Sequence, residues 1–88
     1  MAAGIVYYVL KVKGLAKIPD YLQLRDERYS LVFYGRPDRP EKRTPLPPGL
    51  WEALLKEAPH LPYGEVRKIE WHPDTHTLIW HETTPAHP

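Results

Sequence analysis

The residues best suited to chemistry in this sequence are its histidines, which concentrate near the C-terminus. His72 and His76 flank a turn-forming segment, and His81 follows on the next predicted strand. Neutral imidazoles commonly bind divalent metals, so His72, His76 and His81 form the candidate metal set, with Glu70 or Asp74 as the carboxylate ligand. Their spacing matches no metal-binding motif, including the helical His-Glu-x-x-His pattern. Exposed strand and turn positions are the alternative interpretation, and no cofactor is predicted.

Nucleophilic catalysis has little support in the sequence. The single serine, Ser30, lies inside a predicted strand and outside any Gly-x-Ser-x-Gly turn. The chain has no cysteine, which excludes a disulfide framework and a thiolate metal site. We therefore expect no catalytic residue. The third hypothesis for the function, a metal-binding protein or a small hydrolase or nuclease, rests on the C-terminal histidines.

A proline-rich segment, residues 36–48, is predicted to form a semi-rigid arm because proline fixes φ and favours extended backbone. The arm follows Tyr34 and contains four basic residues: Arg36, Arg39, Lys42 and Arg43. Cations beside an exposed aromatic ring bind single-stranded nucleic acids through phosphate contacts and base stacking. The whole chain carries a net charge of only +1, so nucleic-acid binding through this arm is the second hypothesis.

A single helix and several strands must position these residues. Apolar side chains recur at helical spacing at Leu50, Trp51, Leu54, Leu55 and Ala58. Pro48 suits a first turn and Pro59 ends the pattern, which predicts a helix of about ten residues. We expect Trp51 to be a core residue, because its neighbours on the same stripe are leucines.

Five segments rich in β-branched and aromatic residues predict strands, at 5–13, 21–25, 29–34, 66–72 and 77–82. Their short connections favour antiparallel pairing. We therefore predict an α+β fold, with an antiparallel sheet of about five strands in the order β-β-β-α-β-β and one helix packed on one face. Residues 1–83 form the single domain and 84–88 a polar C-terminal tail. In the last hairpin, Trp71 is expected opposite Leu78.

The first predicted strand is apolar on both faces over its first half. We expect the helix to cover the face that carries Val6 and Tyr8, leaving the other face open. An open apolar face on a small domain is typical of an interface. The predicted interface consists of Ile5, Tyr7, Val9, Val32 and Tyr34. The leading hypothesis is therefore a protein-interaction or homo-oligomeric module without catalysis, whose partner is a second copy or another protein.

The composition is typical of a thermophilic protein. Asparagine is absent, Gln23 and Ser30 are the only residues of their types, and proline occurs 11 times. No apolar run approaches the ~20 residues of a membrane span, and the N-terminus lacks the basic region of a signal peptide. We expect a cytoplasmic protein with no membrane partner.

Overall fold

A computed structural model of the chain describes residues 4–37 and 44–81. Its elements are β1 (Ile5–Val12), β2 (Tyr21–Arg25), β3 (Leu31–Gly35), α1 (Leu50–Glu57), a 3₁₀ turn (Ala58–His60), β4 (Val66–His72) and β5 (Thr77–Trp80). The strands form one antiparallel sheet in the order β3-β2-β1-β4-β5. The predicted α+β fold and its element order are confirmed. No helix within the described ranges has the length and hydropathy to cross a bilayer.

Helix α1 begins at Leu50 because Gly49 supplies the backbone turn that precedes it. Gly49 has a φ of 89°, in the left-handed region that favours glycine. A Cβ atom at this position would lie 3.1 Å from Nδ1 of His76, so the tight packing also favours glycine. The α-helix ends at Glu57, and Pro59 falls in the 3₁₀ turn that follows.

The core lies between α1 and one face of the sheet, which we call the covered face. Leu50, Trp51 and Leu54 of α1 belong to the same buried cluster as alternate residues of the strands. The sheet residues of this cluster are Tyr7, Val9, Leu22, Leu24, Ile69 and Trp71, with Phe33, Leu78 and Trp80 partly buried against it. The indole of Trp51 meets the ring of Phe33 edge to face at 4.9 Å, and only 1% of Trp51 is exposed. Trp51 is a core residue, as predicted.

The prediction that the helix covers the Val6 and Tyr8 face of β1 is wrong. Tyr7 and Val9 are the buried residues, with 8% and 1% of their surface exposed. Lys11 continues that face, and its ammonium group donates a hydrogen bond of 2.9 Å to the carbonyl oxygen of Ala58. Carbonyl groups at a helix C-terminus lack partners within the helix and carry partial negative charge. A lysine can therefore be buried there, and its charge does not mark an exposed face.

The two hairpins differ in how closely they follow the sequence prediction. Trp71 pairs with Leu78 in the β4–β5 hairpin, as predicted. In the β2–β3 hairpin, Asp26 Oδ1 accepts hydrogen bonds from the backbone N–H groups of Arg28 and Ser30. This turn delays the start of β3 to Leu31. A register shift after Leu24 then places Leu31 opposite Arg25.

Part of the proline-rich arm also contributes to the core. Leu46 is 7% exposed and belongs to the buried cluster, which no periodic pattern in the sequence indicated. Residues 38–43 of the arm, the end of the last predicted strand and the predicted tail lie outside the described residues.

Candidate interaction face

The face of the sheet opposite the helix, which we call the open face, is the candidate functional site. Every side chain that the strand register places on it is exposed or half-exposed. Its members are Val6, Tyr8, Leu10, Val12, Tyr21, Gln23, Arg25, Leu31, Tyr34, Val66, Lys68, Glu70, His72, Thr77 and Ile79. Charged side chains are few among them, so most of this face is aliphatic or aromatic.

Tyrosines provide the largest side chains of the open face. Tyr8 meets Tyr29 of the β2–β3 turn edge to face, with ring centroids 5.6 Å apart. Tyr21 and Tyr34 form a second such pair at 6.1 Å. Tyr34 is 63% exposed, which leaves much of its ring available for contact. Tyrosine combines an apolar ring with a hydroxyl group and is enriched at interfaces for that reason.

A groove of about 610 Å³ runs along the β2–β3 side of the open face. Its walls are apolar and aromatic, and its lining includes Ile18, Pro19, Tyr21, Leu31, Tyr34 and Arg36. Arg36 is half-buried at the point where the basic arm begins. The groove therefore joins the open face to the start of the arm.

The cations of the open face lie on either side of Tyr8. Its register partners are Arg25 on β2 and Lys68 on β4. The guanidinium group of Arg25 donates to the Tyr29 carbonyl oxygen at 3.1 Å and to Gln23 Oε1 at 3.2 Å. It also lies 4.9 Å from the centre of the Tyr29 ring. Arg25 is thus held along the sheet by these contacts, whereas Lys68 is exposed.

Two histidines meet one carboxylate at the β4–β5 side of the open face. Nε2 of His72 lies 2.5 Å from Oε2 of Glu70, and Nε2 of His81 lies 3.6 Å from Oε1 of the same carboxylate. Glu70 and His72 share a face because they are two residues apart on β4. The backbone N–H of His81 donates to the Lys68 carbonyl oxygen and brings His81 alongside.

The three histidines of the candidate metal set do not converge. The ring of His76 packs near the indole of Trp71, with centroids 5.7 Å apart, on the covered side of the sheet. Within residues 4–37 and 44–81, no group of three histidine, aspartate or glutamate residues is arranged to hold a metal ion. The pairing of His72 and His81 around Glu70 depends on the strand register. The sequence indicated the shared face of the two histidines and offered Glu70 or Asp74 as their carboxylate, without deciding between the two.

The structure separates the five predicted interface residues. Tyr7 and Val9 belong to the core, and Val32 is partly buried against it. Ile5 is 39% exposed at the start of β1, opposite the buried Trp71. Only Tyr34 lies on the open face. Of the predicted nucleic-acid-binding residues, Arg36 lines the groove, and the other three, Arg39, Lys42 and Arg43, lie outside the described residues.

A second polar cluster joins distant parts of the chain beside the end of β1. The Tyr63 hydroxyl donates a 2.5 Å hydrogen bond to Asp20 Oδ2, and the Gly14 backbone N–H donates to Oδ1 at 2.8 Å. The hydrogen bond from Tyr63 is the main cause that lowers the pKa of Asp20, and the same bond raises the pKa of Tyr63. The ammonium group of Lys11 lies 4.5 Å from the centre of the Tyr63 ring. These contacts hold the loop that contains Asp20 and the loop that contains Tyr63 against β1.

Comparison with known proteins gives no relative. No family model, curated protein or solved structure matches the chain.

Proposed function

We propose that the protein is a homodimeric interaction module in which two copies pack through their open faces. The observation that carries this proposal is the row of half-exposed Val6, Tyr8, Leu10 and Val12 on the central strand β1. Exposed apolar patches of this kind on a small domain usually mark an interface. The face that the sequence proposed, with Tyr7 and Val9, is replaced by the opposite face of the same strand.

The size of the open face suits a small dimer. Strands ~4.8 Å apart with a rise of ~3.3 Å per residue give five strands of this length a face of roughly 500 Å². Two such faces bury about 1,000 Å² in total, which is the lower end of specific protein interfaces. Two sheets that pack face to face also exclude water from both apolar surfaces, as in β-sandwiches.

The charges of the open face suit a symmetric dimer. Lys68 and Glu70 are two residues apart on β4 and carry opposite charges on the same face. In a two-fold interface each surface meets a copy of itself. Such an arrangement can set Lys68 of one copy against Glu70 of the other, and no further charged partner is then needed.

The test is a matched pair of substitutions whose products are measured by sedimentation velocity. Leu10→Glu places a carboxylate at the centre of the open face, and Leu15→Glu makes the same change in a loop residue that is 74% exposed. We expect Leu10→Glu to give monomers and Leu15→Glu to leave the dimer intact, with unchanged circular dichroism in both. A monomeric unmodified protein, or a Leu10→Glu variant that still dimerises, would contradict the proposal.

Single-stranded nucleic acid is the second candidate partner, favoured by the groove that Tyr21 and Tyr34 line. Exposed aromatic rings beside a cation bind nucleotides by stacking and phosphate contact. Arg36 lines this groove at the start of the basic arm. A second copy ranks first because the aliphatic residues of β1 offer no stacking or phosphate contact. Binding of a labelled oligonucleotide that weakens steeply with salt, and is lost in Tyr34→Ala, would reverse this order.

We also propose that the protein works in the cytoplasm of a thermophile. The support is compositional: asparagine and cysteine are absent and prolines are numerous. An unfolding midpoint above about 65 °C is expected, and a midpoint within the mesophile range of about 45–65 °C would contradict this.

A further inference from the structure

We propose that acid dissociates the dimer through the cluster of Glu70, His72 and His81 on the open face. This inference rests on the proposed function, because it concerns the regulation of the same surface. The three side chains are 28%, 27% and 40% exposed, so all of them lie where a second copy would cover them. No other histidine of the described chain lies on this face.

The cluster holds one carboxylate for two imidazoles. His72 and His81 approach opposite oxygens of the Glu70 carboxylate, so either imidazolium can pair with it. Histidine side chains ordinarily gain a proton as the pH falls through about 6.5. The first proton is balanced by Glu70, but the second gives the cluster a net positive charge.

Among the described residues, the neighbouring elements offer no carboxylate to balance the second proton. On β1, Glu70 faces Val6 and its side chain lies against Gly4, neither of which is charged. On β5 its partner is Ile79, and Thr77 faces His72.

The charged groups nearest to the cluster on this face are themselves cationic. Lys68 lies on β4 beside both Glu70 and His81, and Arg25 lies two strands away on β2. Glu70 is the only carboxylate that the strand register places on the described open face. A second proton therefore adds to an existing excess of positive charge.

Covering this charge with a second copy is unfavourable for two reasons. The imidazolium would lose contact with water, and it would face the ammonium group of Lys68 of the other copy across the two-fold interface. The separated chains therefore bind the second proton more readily than the dimer does. By linkage, the dimer is most stable above about pH 6.5 and weakens as the pH falls below it.

The size of the effect follows from the proton count. A group that must lose its proton on association weakens binding about tenfold for each pH unit below its titration point. Each copy must lose one such proton when the dimer forms. The dimer Kd should therefore rise by about tenfold to a hundredfold between pH 7.5 and pH 5.5.

Two substitutions within the cluster should change this pH dependence in opposite directions. His81→Gln leaves one imidazole for one carboxylate, so its dimer Kd should change by less than about threefold over this range. Glu70→Gln leaves two imidazoles with no carboxylate, so its Kd should rise more steeply than that of the unmodified protein. His60→Gln is the matched control, because His60 is exposed at the end of the helix and away from the open face. It should behave like the unmodified protein.

The experiment is sedimentation equilibrium of the four proteins at pH 7.5 and pH 5.5 at fixed ionic strength, with circular dichroism as a check on folding. Opposite changes in His81→Gln and Glu70→Gln support the inference, since a merely structural role would shift both in the same direction. A dimer whose Kd is independent of pH, or depends equally on pH in all four proteins, overturns the inference but not the proposed function. Absence of a dimer of the unmodified protein at pH 7.5 overturns both.

Discussion

The covered and open faces of the sheet use different side chains for different tasks. All three tryptophans lie on the covered side, where Trp51 and Trp71 are each 1% exposed. The open face instead carries Tyr8, Tyr21 and Tyr34, and none of its side chains is buried. Both faces are rich in apolar groups, but within residues 4–37 and 44–81 only one has a helix to cover it. This difference gives the open face the apolar, tyrosine-rich composition on which its proposed role as an interface rests.

The largest expected effect is a loss of stability that differs between the covered face and the open face. Leu54→Ala removes a fully buried side chain from α1, and Leu31→Ala removes one that is 48% exposed on the open face. The first should lower the free energy of unfolding by about 2–5 kcal/mol, because it leaves a cavity. The second should cost less than about 1 kcal/mol in the monomer. Urea denaturation measures both, and equal losses would break the distinction between the faces.

The next effect concerns the buried lysine that identifies the covered face. Lys11→Met keeps the aliphatic stem but removes the donor to the Ala58 carbonyl oxygen. We expect a loss of about 1–3 kcal/mol, because the buried charge-assisted hydrogen bond to the helix end is lost and the Ala58 carbonyl oxygen keeps only its 3.2 Å bond from the Leu61 N–H.

Lys13→Met is the control for this substitution, because Lys13 is exposed two residues later, directly after the end of β1. It should change the stability by less than about 0.5 kcal/mol. A neutral or stabilising Lys11→Met would show that the ammonium group is not what holds the helix end to β1.

The smallest expected effect is a pH dependence of the stability. It arises from the Asp20–Tyr63 pair, which lies on neither face of the sheet. The lowered pKa of Asp20 means that its contribution to stability is complete above the usual value of 3.8 and is lost as the pH falls through the lower folded value. The raised pKa of Tyr63 means that its contribution is complete below 10.0 and is lost as the pH rises through the higher folded value.

Urea unfolding of the unmodified protein and of Asp20→Asn between pH 2 and pH 6 tests the acid side of this pair. The substitution should flatten the pH dependence of stability. Identical slopes in the two proteins would show that the hydrogen bond contributes nothing to stability.

The elements of the fold follow from local patterns, but the choice between faces does not. Period and proline positions predict α1, and alternation predicts that Leu22 and Leu24 are buried. In β1, Tyr7 and Tyr8 are equally suited to either side, so alternation cannot decide which faces the helix. The decision depends on Lys11, whose burial makes sense only once the C-terminal end of the helix is placed above it.

The polar clusters also depend on contacts between distant residues, which local sequence patterns do not predict. Tyr63 and Asp20 are 43 residues apart in the sequence, and their contact depends on how two loops meet beside β1. His81 reaches Glu70 only through the pairing of β4 with β5. The sequence pointed to the histidines of this hairpin with Glu70 or Asp74 as their carboxylate, but it included His76, which packs against Trp71. It could not show that His72 and His81 share Glu70.

The most direct test of the central claim is sedimentation velocity of the purified protein at low and high salt, recorded at 260 and 280 nm. The open face as a self-association surface predicts a dimer of about twice the 10.3 kDa chain mass with a protein absorbance spectrum at both salt concentrations. A monomer at both concentrations would contradict the claim. A species with excess absorbance at 260 nm that is lost at high salt would assign the open face to nucleic acid instead.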